Sequence, residues 1–258
     1  MKREVKLARK IKRFLKRLGY PRWLHRYGPK TYELWHHIFA HLAGANFRLS
    51  LRRIENLLDL LGFKTPTYSA LCKSRKRIPN SLWQRLMSLT AGDRHLSVAI
   101  DSTEISRANP SYHFVKRINR KKPVKSYVKQ SSLFDVRKKV FVTLRVRSRP
   151  RHDIQDAKYL LDRVQTKNLL GDTSYDANWL HEMCYDRGIQ TQIKPRKNVR
   201  RGFYRKKQMR NYSDEKYHKR SLIESGQGGY KRKYGGYTLA KNIKAIKSEA
   251  YCKVITTI

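Results

Sequence analysis

Leu96-Ser97-Val98-Ala99-Ile100-Asp101 and Asn168-Leu169-Leu170-Gly171-Asp172 are the stretches whose reading decides the fold. Each is a short apolar run ending in a carboxylate, which predicts a buried strand with an acid at its tip. The two aspartates are 71 residues apart. Between them, residues 126–134 and 139–147 read as two more strands joined by a tight turn at Arg137-Lys138. In the second, Val140, Val142, Leu144 and Val146 alternate with Phe141, Thr143, Arg145 and Arg147. Asp153–Val164 has helical spacing, and so does Asn178–Arg187, which Gly188 stops. Ile189–Ile193 is a fifth strand, and a helix runs from about Ser213 past Glu224. Three consecutive strands followed by alternating helix and strand predict an α/β domain over 96–258, with a mixed five-stranded sheet and flanking helices.

Upstream, the pattern is all helical. Val5, Ala8, Ile11, Phe14, Leu15 and Leu18 recur at three-to-four spacing before Gly19 and Pro21. Further helices are expected over Thr31–Ala43, from a Ser50 N-cap to Gly62, from Thr67 to Arg77, and from Asn80 onward. Residues 1–95 thus read as an α domain. Its third and fourth helices, joined by a short turn, match a helix-turn-helix plan that would present Lys73, Arg75, Lys76 and Arg77 to DNA. An ordinary helical hairpin with a solvated basic face fits the same pattern. Residues 1–48 contain no identifiable motif.

Composition narrows the partners. The 258 residues hold 60 Lys+Arg against 19 Asp+Glu, a net charge of +41. Residues 1–95 have 22 basic and 5 acidic side chains, net +17, and residues 96–258 have 38 and 14, net +24. An excess spread over both halves calls for a polyanion, and nucleic acid is the leading candidate. The 39% hydrophobic content is enough for a packed core. Cys72, Cys184 and Cys252 are far apart and form no C-x-x-C pair, which argues against a zinc finger or disulfide framework. No apolar run is long enough to span a membrane, and the basic N-terminus has no signal-peptide core. A cytoplasmic location is expected.

Asp101 and Asp172 are candidates for binding a hard cation, because Mg²⁺ takes carboxylate oxygens and leaves positions that phosphate oxygens can fill. Ion pairing with Lys or Arg is the structural alternative. A third acid is sought in the helix after the fifth strand. There, Tyr217, Arg220, Glu224 and Lys231 give the spacing Tyr-x2-Arg-x3-Glu-x6-Lys. On one helix, Arg220 and Glu224 share a face, with Tyr217 two turns before Glu224 on the same stripe. Gly226, Gly228 and Gly229 predict that the helix ends or distorts just past Glu224, with Lys231 on the return.

This spacing resembles the signature of prokaryotic insertion-sequence transposases of the DDE type. Asp101-Ser102-Thr103 is similar to that family's first-Asp strand end, and Gly171-Asp172-Thr173-Ser174-Tyr175-Asp176 to the block around its second Asp. Leu51-Arg52-Arg53-Ile54-Glu55 and Tyr68-Ser69-Ala70-Leu71-Cys72 resemble its N-terminal DNA-binding helices. The strand order is that of the RNase H-like fold. The resemblance implies a metal-dependent DNA transposase in which Asp101, Asp172 and Glu224 hold two Mg²⁺ or Mn²⁺ ions. It further implies cutting at transposon ends and joining of the freed 3′-hydroxyl to target DNA. Terminal inverted repeats and target duplex would be the partners, with a homodimer in the active complex and a nucleoid-associated, prokaryotic setting. An RNase H-like nuclease without strand transfer, a non-catalytic basic nucleic-acid-binding protein and an inactive copy are the alternatives.

Other candidates rank lower. Glu104 lies near Asp101 but could face away, and Asp176 suits an N-cap for the helix at Asn178. His37 and His41 are four apart without a third ligand and read as core or surface. The basic segment 194–210 holds nine Lys/Arg, no acid, and the rings of Phe203 and Tyr204. It suits a strand-tracking surface or a solvated loop.

Overall fold

The computed structural model describes residues 3–27, 30–107, 127–149, 151–197 and 201–257. Residue 126 of the expected second strand and residues 198–200 of the basic segment lie outside these. The chain folds as two compact units, Met1–Leu89 with Thr238–Ile258, and Thr90–Tyr237.

The helical unit begins with α1 (Arg3–Arg17), which buries Ala8, Ile11 and Leu15 and turns its cations outward. Gly19, at φ 66°, lets the chain leave the helix. Helix α2 (Leu34–Asn46) starts three residues later than expected, because the Glu33 backbone N–H donates to His36 Nδ1 and sets the entry turn there. It is buried almost all round, His37 and His41 included. Helix α3 (Leu51–Leu60) has the Ser50 cap and α4 (Tyr68–Arg77) a Thr67 cap, each side chain accepting from a backbone N–H three residues on. Helix α5 (Asn80–Ala91) follows.

The sequence reading joined residues 238–258 to the second domain, but they pack in the helical unit. In the last helix of the chain (Ile243–Ile255), Ser248 Oγ accepts from Trp83 Nε1 at 3.2 Å and donates to Arg75 O at 2.8 Å. Glu249 in the same helix caps the backbone N–H groups of Leu239 and Ala240.

In the other unit, β1 (Arg94–Arg107), β2 (Tyr127–Asp135), β3 (Val140–Arg147), β4 (Gln165–Gly171) and β5 (Gln190–Ile193) form a sheet in the order β3-β2-β1-β4-β5. A sixth, two-residue strand begins at the unit's last residue, Tyr237. The β1–β2 and β2–β3 pairs are antiparallel, and β1–β4 and β4–β5 are parallel, so the sheet is mixed and consistent with an RNase H-like fold. Strand β1 runs six residues past Asp101, which is therefore mid-strand and not at a strand tip.

One face of the sheet (Val98, Ile100, Leu133, Leu169, Ile193) is covered by α6 (Ala157–Leu161) and α7 (Asn178–Asp186) through Leu160, Leu161, Leu180 and Cys184. Part of the basic segment is ordered as α8 (Phe203–Met209), and its Gln208 hydrogen-bonds β5, so the segment is not simply a solvated loop. The helix expected across 213–224 is two, α9 (Asp214–His218) and α10 (Ser221–Tyr234). Helix α10 runs straight through Gly226, Gly228 and Gly229 instead of ending there. A Cβ on Gly226 would sit 2.8 Å from the Phe134 ring, so this glycine is what lets the helix lie close on β2.

Candidate active site

The parallel register brings the two aspartates together. Strands β1 and β4 pair with Ala99 opposite Leu170 and Val98 opposite Leu169, an offset of 71 residues. Asp172 directly follows Gly171, the last residue of β4, and its charge acts on Asp101 in the neighbouring β1. The face of β1 that carries Asp101 also carries Ala99 and its cross-strand partner Phe134, on which Gly226 of α10 rests. Helix α10 turns Ile223, Gln227, Tyr230 and Tyr234 inward. Glu224 is on its flank, with a side chain 54% exposed.

The carboxylates sense one another. Burial, the largest effect, raises the Asp101 pKa; the hydrogen bond from the Ser102 backbone N–H and the Arg220 charge oppose it, while the neighbouring charges of Asp172 and Glu224 raise it further. Neither Asp101 nor Asp172 has an ion-pair partner among the described residues. Asp172 Oδ1 instead accepts from the Ser174 backbone N–H at 2.9 Å and from its hydroxyl at 2.5 Å, which locks the turn after β4. Ser132, opposite Asp101, and Gln130 bury side-chain polar atoms with no hydrogen-bond partner. Among the described residues, no three His, Cys, Asp or Glu side chains crowd closely enough to enclose a metal ion. Glu224 pairs with Arg220 Nη1 at 2.7 Å. Burial disfavours the Arg220 charge, but Glu224 outweighs it and raises the pKa.

Tyr217 is on α9 and so does not share a continuous helical stripe with Glu224. The two-helix break still keeps it close, since Arg220 N donates to Tyr217 O and the guanidinium lies 5.9 Å from the Tyr217 ring. Lys231 is within α10, not on a return strand, seven residues past Glu224 on the same stripe. Glu104 is exposed on the opposite parity of β1 from Asp101.

Asp176 does not cap α7, whose N-cap is Ala177. It is buried and accepts from Arg205 Nε at 2.5 Å, Arg196 N at 2.9 Å and His181 Nε2 at 3.1 Å. Burial works against its charge, but these hydrogen bonds prevail and hold its pKa below the usual carboxylate range. Arg196 also donates to Thr173 O and Ser174 O, clamping the turn that carries Asp172. The sequence reading missed this clamp. Its only trace was a cation in the segment after β5.

In the helical unit, Lys73, Lys76 and Arg77 are exposed on α4. Arg75 is not available to DNA in the same way. Its side chain is 13% exposed and lies 3.8 Å from the buried Glu249 carboxylate. No helix among the described residues is long and apolar enough to cross a membrane.

Residues 93–246, more than half of the chain, match the family model described as a transposase DDE domain. A search of curated proteins found no match.

Proposed function

The chain belongs to the transposase DDE-domain family, and from that premise we propose that Asp101, Asp172 and Glu224 are the catalytic carboxylates of a metal-dependent DNA transposase. The observation that carries the reading is the register. Two aspartates without ion-pair partners among the described residues, one in β1 and one directly after its parallel neighbour β4, act on one another in a chain of net charge +41, and the charge of Glu224 reaches the same Asp101. Such a set suits two Mg²⁺ or Mn²⁺ ions, because mutual repulsion, burial and orphaned polar neighbours are all relieved by a hard cation. When bound, the ions supply activation of the attacking oxygen and charge stabilisation of the leaving oxygen at phosphorus.

The protein's own groups do the positioning. The Ser174 bonds and the Arg196 clamp hold the Asp172 carboxylate in place on the turn after β4. Arg220 pairs with Glu224 and can turn to a phosphate oxygen when the carboxylate is otherwise engaged. Tyr217 offers a ring for a sugar or base, and Lys231 a charge for the same strand. The Tyr217, Arg220, Glu224 and Lys231 set is read as the insertion-sequence signature, which points to a prokaryotic, nucleoid-associated enzyme. The reaction proposed is cutting at the element's end followed by attack of the freed 3′-hydroxyl on target DNA, within a homodimer holding two ends. Helices α3 and α4 are read as the helix-turn-helix that recognises terminal inverted repeats, with Lys73, Lys76 and Arg77 facing DNA.

The test uses terminal-repeat duplex with Mg²⁺. Asp101→Asn, Asp172→Asn and Glu224→Gln should each abolish cutting while DNA affinity stays within about twofold, since affinity comes from Lys and Arg contacts with phosphate. Cutting at the wild-type rate by any of the three refutes the assignment. A pre-cut end with a 3′-hydroxyl should be joined to plasmid. Hydrolysis without joining would make the protein a nuclease.

A further inference from the structure

The 680 Å³ cleft between α1 and the start of α2 belongs to the part of the chain for which the sequence offered no motif. One wall is a single stripe of α1, Arg9, Lys12, Arg13 and Lys16, spaced by three and four residues and exposed. The floor is apolar and aromatic, from Leu15, Tyr20, Pro21, Leu34 and Trp35. Arg22 closes the far rim, and the one carboxylate of the lining, Glu33, is already committed to it at 2.8 Å. The Trp35 ring is capped on one side by His36, with ring centroids 3.8 Å apart, and Lys12 lies 5.9 Å from its centroid. Its indole N–H is buried with no hydrogen-bond partner.

We propose that this cleft is a nucleotide-binding site, taking one or two unpaired nucleotides of a DNA strand. Four cations in a row suit successive phosphates. An aromatic and apolar floor suits the face of a base. A paired duplex keeps its bases stacked inside and cannot deliver a base face to a concave floor, whereas a frayed or single-stranded end can. The inference rests on the reading of the chain as a protein that handles DNA ends, but not on the three carboxylates. It adds a second DNA contact, in the helical unit.

The experiment measures fluorescence anisotropy of the full chain with labelled DNA: a blunt duplex, the same duplex with a four-nucleotide single-stranded overhang, and a short single strand. Free dAMP competes in a parallel arm to separate a mononucleotide site from a strand site. The overhang should bind more tightly than the blunt end. Trp35→Ala should reduce overhang binding by roughly 5- to 150-fold, the range for one stacked base. Trp35→Phe, which keeps a ring and loses the N–H, should lose less. Arg9→Ala with Arg13→Ala, both on the surface, should weaken overhang binding without unfolding, as checked by circular dichroism. The proposal is overturned if overhang and blunt end bind alike in every variant. It is also overturned if an acidic peptide or phosphatidylglycerol vesicles compete as well as the single strand, or if only free dAMP binds. A wild-type chain with no overhang preference but normal blunt-duplex binding sinks the cleft alone. Failure to bind any DNA sinks the transposase reading with it.

Discussion

Gly226→Ala separates the packing of α10 from its helix propensity. The added Cβ would meet Phe134 Cε2 at 2.8 Å and Cζ at 3.1 Å. Phe134 cannot swing clear easily, being buried and edge-packed on Phe141 with ring centroids 5.1 Å apart. Restoring an ordinary carbon–carbon contact of about 3.5–4.0 Å requires a shift of roughly 0.7–1.2 Å between helix and sheet. Overpacking of this kind costs about 1–3 kcal/mol, and the gain from Ala over Gly inside a helix returns about 1 kcal/mol. The net expectation is a loss of about 0–2 kcal/mol, small enough that the protein stays folded. The effect on function should be much larger, because Glu224 rides on the same helix and a displacement near 1 Å in a catalytic constellation can cost on the order of 100-fold in rate. Gly229 is the control. A Cβ there meets nothing within 4 Å, and the position lies away from both Phe134 and the Glu224 stripe. Gly229→Ala should stabilise by up to about 1 kcal/mol and leave activity unchanged. Urea unfolding gives the stabilities, and cleavage of labelled terminal-repeat duplex gives the rates. Wild-type cutting by Gly226→Ala, or equal damage from Gly229→Ala, refutes the argument that close approach at Gly226 positions Glu224.

Three further outcomes are expected. Asp101 has a raised pKa through burial and its acidic neighbours, so the folded chain binds its proton more tightly than the unfolded chain. Its charge therefore costs stability above the folded pKa, and the cost disappears as pH falls below the ordinary carboxylate value; Asp101→Asn should raise Tm at pH 7 in metal-free buffer and lose that advantage in acid. Glu249 is the reverse case. Burial opposes its charge, but Lys253 at 3.0 Å and Arg75 hold its pKa down, giving stability that is present at neutral pH and lost as pH falls through the folded value. Glu249→Gln should cost about 3–5 kcal/mol in denaturant unfolding, by stranding buried cations, and no change in Cm would contradict this. On α4, competition between terminal-repeat and scrambled duplex should show Arg77→Ala losing about 1–3 kcal/mol of discrimination. Arg75→Ala should instead lower stability, and equal behaviour of the two in both assays would remove α4 as a reader.

The sequence by itself determined the order of most elements, because helical and strand periodicities are local, but not α8, the break between α9 and α10, or the helix Ile243–Ile255. The sequence's cap at Ser50 and its stops at Gly19, Gly62 and Gly188 recur in the structure at those residues. It also singled out Asp101, Asp172 and Glu224 by motif. The 71-residue separation of the aspartates is also the offset of the β1–β4 ladder, though nothing local says that those strands are neighbours. Only the tertiary structure decided the rest. Asp101 proved to be mid-strand because β1 continues along β2 beyond the end of β4. The glycines of α10 did not end the helix, because the sheet beneath it supplies the packing that outweighs their poor propensity. Arg75 and Asp176, which the chain alone offered as a DNA contact and a helix cap, were claimed by Glu249 and by Arg205 with His181. Those partners are 174, 29 and 5 residues away. A buried charge takes whichever counter-charge the fold brings within reach, and that choice is made by packing and not by sequence neighbours.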